Sequence, residues 1–255
     1  MFSESDFDRL RQIMEESPEK QELLQRLLDS HQMTISAISH EIRNPLTLIY
    51  SNLQLISSQH PDISGYKQWN QLMQDVEYTN SLLEELSAYN NSCRLNPSPI
   101  DASSFFRAIA LSFAVSISNA GIEFTSRITP GLPEVHCDTV KMRQALLNLL
   151  QNARDGALQQ DARKAKIRLE VFESGQCSHL PPSIYVKVID NGCGIPPEHM
   201  EHIFQPFVTY KSGGTGLGLA ITERIARSHG GSLSASSVPG ELTVFTLTFP
   251  IQNHG

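Results

Sequence analysis

Apolar residues recur at helical spacing along the first third of the chain. Ile35, Ile38, Ile42, Ile49 and Ile56 fall three, four or seven positions apart, which lines them up on one side of a helix. Ser17-Pro18-Glu19 reads as its start, with a serine cap, proline at the first helical position and an acid in the first turn. No glycine follows before Ser58, so one long helix is predicted from about Pro18 to Ser58. Pro45 removes the hydrogen bond to the Glu41 carbonyl and predicts a bend there. A shorter amphipathic pattern covers residues 4–16 (Phe7, Leu10, Ile13, Met14), and His60-Pro61-Asp62 with Gly65 marks a turn. Trp69, Leu72, Met73, Val76, Leu83, Leu86 and Tyr89 then give a second helix from about Tyr66 to Asn90. Two antiparallel helices cannot bury their apolar faces alone. Pairing two such hairpins into a dimeric four-helix bundle solves this and predicts a homodimer.

The pattern changes after Asn90. Residues 90–99 are polar and proline-containing, a linker by composition. Beyond it, helical and alternating stretches interleave. Helices are predicted at 102–119 (capped by Asp101), 139–158 (capped by Asp138) and 215–228, the last closed by His229-Gly230-Gly231. Strands are predicted at 122–128, 166–172, 183–189, 232–236 and 241–248, with a loop at Glu173–Pro182 and a glycine- and proline-rich connection at 190–214. This describes an α+β sandwich, a layer of helices on a mixed sheet. The division is a lead-in over 1–30, a helical domain over 31–92 and an α+β domain over 93–255.

Composition narrows the function classes. The net charge of -7 argues against broad binding to nucleic acid or anionic lipid. The basic run Arg163-Lys164-Ala165-Lys166 fits a solvated helix end or loop. Cys93, Cys137, Cys177 and Cys193 are far apart with no CxxC pair, as expected of free thiols in a reducing compartment. The acidic start is unlike a signal peptide, and the most apolar window, Ala108 to Ile122, is too short to span a bilayer. A soluble, cytoplasmic protein with no membrane span is expected. Residues 1–30 are too short for a sensor domain, so a signal would arrive through a partner or through a longer parent chain.

Four stretches could carry chemistry. In Ser39-His40-Glu41-Ile42-Arg43-Asn44-Pro45-Leu46-Thr47, His40 lies opposite the isoleucine stripe and faces water; a plain surface histidine fits equally well. Asn148 and Asn152 are four apart on one helix face, where neutral amide oxygens suit a metal ion or phosphate surroundings, as well as an ordinary polar face. Asp190-Asn191-Gly192-Cys193-Gly194 ends a strand. There a carboxylate can accept from an exocyclic amine and glycines admit a planar base, although an ordinary Asp-Asn-Gly turn reads the same. Gly213-Gly214-Thr215-Gly216-Leu217-Gly218 runs into a helix, so its amides can face phosphate. It matches neither the P-loop nor the dinucleotide pattern. His199, His202 and His229 fit solvated or capping roles.

Together and in this order, these stretches resemble the sensor histidine kinases of bacterial two-component systems. Ser39–Leu46 is similar to their phosphoacceptor box, Asn148–Asn152 to their asparagine box, and Asp190–Ile195 and Gly214–Gly218 to their two glycine boxes. Ile203-Phe204-Gln205-Pro206-Phe207 resembles the phenylalanine box between those. The resemblance implies a Bergerat-type ATP-binding domain joined to the dimerisation helices. His40 would be phosphorylated from ATP, with Glu41 as adjacent base or tautomer holder, and Asn44 would position water in a phosphatase reaction. Asn152 would ligate Mg²⁺ beside Asn148, and Asp190 would read adenine. Gly192, Gly194, Gly214, Thr215, Gly216, Leu217 and Gly218 would line the nucleotide, and Phe204 and Phe207 would anchor a lid over 195–213. A response regulator receiver domain would accept the phosphoryl group.

Asn148 replaces the glutamate by which hydrolytic relatives activate water, so phosphoryl transfer is the compatible chemistry. One departure stands out. Many relatives carry a lysine or arginine where this chain has Asp155, and Lys211 is the candidate to supply that charge. Two other functions share parts of this pattern: a scaffold that has lost kinase activity, and a serine kinase of the anti-sigma type, which lacks the helical hairpin.

Overall fold

The computed structural model describes residues 17–160, 165–174, 182–211 and 213–251. The expected helix at 4–16, Arg163, Lys164, Cys177 and most of the 173–182 loop lie outside these. The chain divides into two compact units, Met1–Asn91 and Ser92–Gly255.

The first unit is a helical hairpin. Helix α1 spans Pro18–Gln59, capped by the Ser17 hydroxyl, which accepts from the Glu19 amide at 3.3 Å. It continues unbroken through Pro45. A 3-10 turn (Pro61–Gly65) leads to α2 (Lys67–Asn91). The face α1 turns to α2 is not the isoleucine stripe. It is Ser39, Arg43, Leu46, Tyr50, Leu53 and Ser57, one position round the helix. Four hydrogen bonds follow this seam: Asn91 Nδ2 to Ser36 Oγ (3.4 Å), Arg43 Nη2 to the Leu83 carbonyl (3.2 Å), Tyr50 Oη to Glu77 (2.8 Å) and Trp69 Nε1 to Ser57 Oγ (2.9 Å). Partners descend α2 as they climb α1, which fixes the antiparallel register. Ser36, Arg43, Tyr50 and Ser57 each meet a partner on α2, so polar side chains mark the seam, and the isoleucine stripe lies beside it. Ile38, Ile42, Ile49 and Ile56 remain open, from 38% exposed at Ile56 to 52% at Ile38, while Ile35 is half-buried.

The second unit contains β1 (Ser98–Asp101), α3 (Ala102–Ser116), β2 (Glu123–Ile128), β3 (Glu134–Cys137), α4 (Thr139–Gln160), β4 (Lys166–Glu173) and β5 (Ser183–Asp190). After these come the short α5 (Pro197–Met200), α6 (Gly218–Ser228), β6 (Ser232–Val238) and β7 (Leu242–Pro250). Five strands form one mixed sheet in the order β2-β4-β5-β7-β6, with β2 and β4 parallel and the other pairs antiparallel. Strand alternation sends Ile167, Leu169 and Val171 of β4, Ile184, Val186 and Val188 of β5, and Phe245, Leu247 and Phe249 of β7 into the core. Helices α3, α4 and α6 cover that face, with Phe106, Phe113, Leu146, Leu149 and Ala226 buried among the strand residues. β1 and β3 pair as a separate two-stranded sheet. Four-residue strands bounded by prolines look like linker and turn in the sequence.

Two predicted helix ends shift. α3 stops at Ser116. α6 begins at Gly218 and not Thr215, because Gly216 has φ +72°, outside helical geometry. No helix among the described residues is long and apolar enough to cross a membrane.

His229 is neither solvated nor a simple cap. It is 7% exposed, and its Nε2 accepts from the Asp138 amide at 3.0 Å while Nδ1 meets the Ile225 carbonyl at 2.8 Å. It therefore ties the end of α6 to the start of α4. Burial holds its pKa below the ordinary histidine value, against the opposing pull of the Ile225 carbonyl and Asp138. His229→Ala leaves the Asp138 amide buried without an acceptor and should cost about 1–3 kcal/mol, read as a lower Tm. In the native protein the neutral imidazole is favoured, so stability present at neutral pH falls as pH drops through about 6.5. Melts between pH 8 and 5 should show the variant lacking this part of the acid loss; parallel curves would refute it.

Candidate active site

In the helical unit, His40, Glu41 and Asn44 are all exposed on α1. His40 and Asn44, four apart, share a face, whereas Glu41 stands about 100° round from His40. Ser39, beside them, is buried and donates its hydroxyl to the Ile35 carbonyl at 2.8 Å, while Thr47 donates to Arg43 at 2.9 Å. His40 thus projects from a helix fixed on its inner side.

In the α+β unit, the site grows from the periods of one helix and one strand. On α4, Met142, Leu146, Leu149, Leu150, Ala153 and Ala157 face the core. The same 3.6-residue repeat places Asn148, Asn152 and Asp155 along the border of that face. On β5, the inward row Ile184, Val186, Val188 ends at Asp190. The strand period thus carries a carboxylate into the helix–sheet interface, 4% exposed and opposite buried Thr243. Burial pushes its pKa up to about 6, while the Gly192 amide, donating at 2.9 Å, and the positive charge of Lys211 pull it down.

Gly192 lies against the α4 backbone. A Cβ there would sit 2.3 Å from the Gly156 carbonyl carbon, and the neighbouring Cys193 amide donates to the Gly156 carbonyl at 3.1 Å. The loop is fastened further by three hydrogen bonds to neighbouring strands and turns. Asn191 Oδ1 accepts from the Lys166 amide (2.7 Å), Ser237 Oγ from the Ile195 amide (2.9 Å), and the Cys193 carbonyl from the Gly240 amide (2.8 Å). Asn191 was visible within its motif; Ser237 and Gly240 become legible only once β6 and β7 are paired.

The second glycine loop is drawn together by Asn148, whose Nδ2 donates to the Gly218 carbonyl at 3.1 Å. Leu217 is fully buried, and its amide donates to Thr215 Oγ1 at 3.3 Å. No side chain caps the start of α6, which leaves its positive end to whatever lies in front of it. Between the loops, Ile203 is buried and Phe204 is half-buried against the core. Phe207 does not anchor the segment: it is 61% exposed and takes φ +65° as its amide donates to the Gly216 carbonyl at 3.0 Å. With its backbone held there the ring is left exposed, while Ile203 and Phe204 are the residues packed against the core. His199 stacks on Tyr210 at 3.5 Å, and His202 Nδ1 meets Gln205 Nε2 at 3.1 Å, so neither is a bare ligand.

Lys211 reaches back to α4. Its Nζ donates to Asn152 Oδ1 at 2.8 Å and pairs with Asp155 at 3.4 Å. Asn152 Oδ1 is therefore already a cation ligand, and a hard, neutral oxygen suits Mg²⁺ as well. No cluster of three or more His, Cys, Asp or Glu that could hold a metal occurs among the described residues. A Mg²⁺ here would take most of its oxygens from phosphates and water.

Residues 30–91 match the family described as His Kinase A (phospho-acceptor) domain. Residues 137–253 match the Histidine kinase-, DNA gyrase B-, and HSP90-like ATPase family. The Escherichia coli signal transduction histidine-protein kinase AtoS is 28% identical over 87% of this chain and 35% of its own. The sensory histidine kinase/phosphatase NtrB of Rhodobacter capsulatus is 31% identical over 84% of this chain and 60% of its own. The chain spans about a third to two-thirds of the length of the curated relatives it matches. Full-length ShkA, solved with AMPPNP, superposes with a TM-score of 0.69 over 86% of this chain and 46% of its own, at 23% identity. The catalytic domain of the histidine kinase ThkA covers 61% of this chain and 96% of its own, with a TM-score of 0.52 and 27% identity.

The closest packing in the site offers a direct test. Gly192→Ala forces a methyl group into the α4 backbone and should destabilise the second unit by about 1–3 kcal/mol. Thermal unfolding reads this, and an unchanged Tm would show that the loop and helix can separate freely.

Proposed function

Since the chain belongs to the histidine kinases, joining a phospho-acceptor domain to an ATPase-type domain, we propose that it phosphorylates His40 from ATP and passes the phosphoryl group to an aspartate of a response regulator. The observation that carries this reading is that one chain has an exposed histidine on α1 and a second unit in which Asn148 meets the uncapped start of α6 and Lys211 joins Asn152 to the neighbourhood of Asp190.

Asp190 accepts the adenine amine, and Gly192 and Gly194 admit the base. The α6 amides behind Gly214–Gly218 face the phosphates. Mg²⁺, when bound through Asn152 and the phosphates, neutralises charge on the transferring group. A His40 ring nitrogen attacks the γ-phosphorus as the bond to the ADP oxygen breaks, and ADP leaves with that electron pair. Glu41 favours the nucleophilic tautomer or takes the proton released from the ring. A regulator aspartate then attacks the same phosphorus as the P–N bond breaks. Asn44, on the His40 face, positions water for hydrolysis of the phosphorylated regulator.

The open stripe of Ile38, Ile42, Ile49 and Ile56 supports a homodimer in which two hairpins form a four-helix bundle. Such a protein works in the cytoplasm, where ATP is available, and takes its signal from an upstream sensor or regulatory partner.

Incubation with γ-labelled ATP and Mg²⁺ should give acid-labile, base-stable label that is lost in His40→Ala and moves to a receiver domain. Acid-stable label would indicate a serine kinase, and no label in the native protein would indicate a scaffold.

The raised pKa of Asp190 gives a second test. The ionised carboxylate is the better acceptor, so ATP affinity should fall as pH drops through about 6. Asp190→Asn should bind more weakly at neutral pH and show a flatter profile. Titration of the nucleotide phosphates is common to both proteins, so identical slopes would remove Asp190 from the adenine site.

A further inference from the structure

Lys211 is presented to α4 by an ordered knot of backbone. Its amide donates to Thr209 Oγ1 at 3.2 Å, and its carbonyl accepts from the Gly214 amide at 3.2 Å. Gly214 is packed so closely that a Cβ would lie 2.6 Å from Thr209 Oγ1. The side chain then spends all it has. An ammonium carries three N–H donors, and three acceptors face it: Asn152 Oδ1 at 2.8 Å, the Asn152 carbonyl at 3.5 Å and Asp155 Oδ2 at 3.4 Å. Asp155 is itself oriented, because its other oxygen accepts from Arg154 Nε at 3.2 Å and Nη2 at 3.0 Å.

In this arrangement no Lys211 donor remains for a phosphate, and the atom that would ligate Mg²⁺ is occupied by a different cation. We infer that Asp155 is a positioning residue that docks the lid lysine on α4, and that Lys211 keeps the metal's place on Asn152 until nucleotide-bound Mg²⁺ takes it. The inference rests on the nucleotide reading above. When the metal claims Asn152 Oδ1, the freed Lys211 donors turn to the phosphates while Asp155 keeps the side chain within reach. The exchange is easy because Lys211 and Asp155 are each about a third exposed, and partly exposed ion pairs are weak. Asp155 also explains how an acid can stand where a cation is expected: the positive charge has moved to the lid, and the helix supplies its holder.

The test is calorimetric titration of ADP into the full chain, in Mg²⁺ and in EDTA, for native protein, Lys211→Met, Asp155→Asn, the double variant and Asp155→Glu. Lys211→Met should weaken ADP about tenfold in Mg²⁺ and less than about threefold in EDTA, because its donors reach the phosphates only once the metal frees them from Asn152. In the Asp155→Asn background the same substitution should change affinity in Mg²⁺ by less than about threefold, and Asp155→Glu should restore the larger effect. Equal losses in the two buffers, or losses that simply add with Asp155→Asn, overturn the inference while leaving the nucleotide site standing. Absence of ADP binding by the native protein in both buffers instead defeats the nucleotide reading, and this inference with it.

Discussion

Two hydrogen bonds near opposite ends hold α4 against α6. His229 at the end of α6 accepts from the Asp138 amide at the start of α4, and Asn148, three turns along α4, donates to Gly218 at the start of α6. At 1.5 Å per residue the two spacings, Asp138 to Asn148 and Gly218 to His229, are both about 15 Å. The links therefore close without strain on two antiparallel helices. Everything that can face a nucleotide is referred to this frame. Asn152 and Asp155 continue the α4 border, the second glycine loop ends at the held carbonyl of Gly218, and the first is pressed onto α4 at Gly156. A polar amide that sequence reasoning assigned to the phosphates also works as a fastener of the scaffold.

Much of this architecture was legible in advance. The long helices, the five sheet strands and the mixed α+β layer follow from 3.6- and 2-residue periods and from caps such as Ser17 and Asp101, which are local signals. The errors arose where a distant partner decides the outcome. The hairpin seam, which periodicity left unassigned, runs past Ser36, Arg43, Tyr50 and Ser57, each met by a partner on α2, and Ile38, Ile42, Ile49 and Ile56 beside it stay open. β1 and β3 are too short to announce themselves, and each exists because the other pairs with it. His229 looked like a cap until Asp138 arrived from the other end of the domain.

The site divides in the same way. Asp190 could be placed from its strand, since a carboxylate two residues beyond Val188 must share the inward face. The contact of Lys211 with Asp155 could be suspected only as a missing charge, because 56 positions separate the two residues. Phe207 was misjudged for a related reason. The family resemblance implied an anchoring role, but its backbone is committed to Gly216 and its ring is exposed.

The open isoleucine stripe has a consequence for how the two units come apart. The second unit buries its core within one chain, so its folding is first order in protein. The hairpin leaves much of its apolar surface open, so in the proposed homodimer its folding and its association would be one bimolecular equilibrium. Dilution acts on the first unit and leaves the second untouched. For the proposed homodimer, protein concentration would therefore set what fraction of hairpins is completed as a bundle.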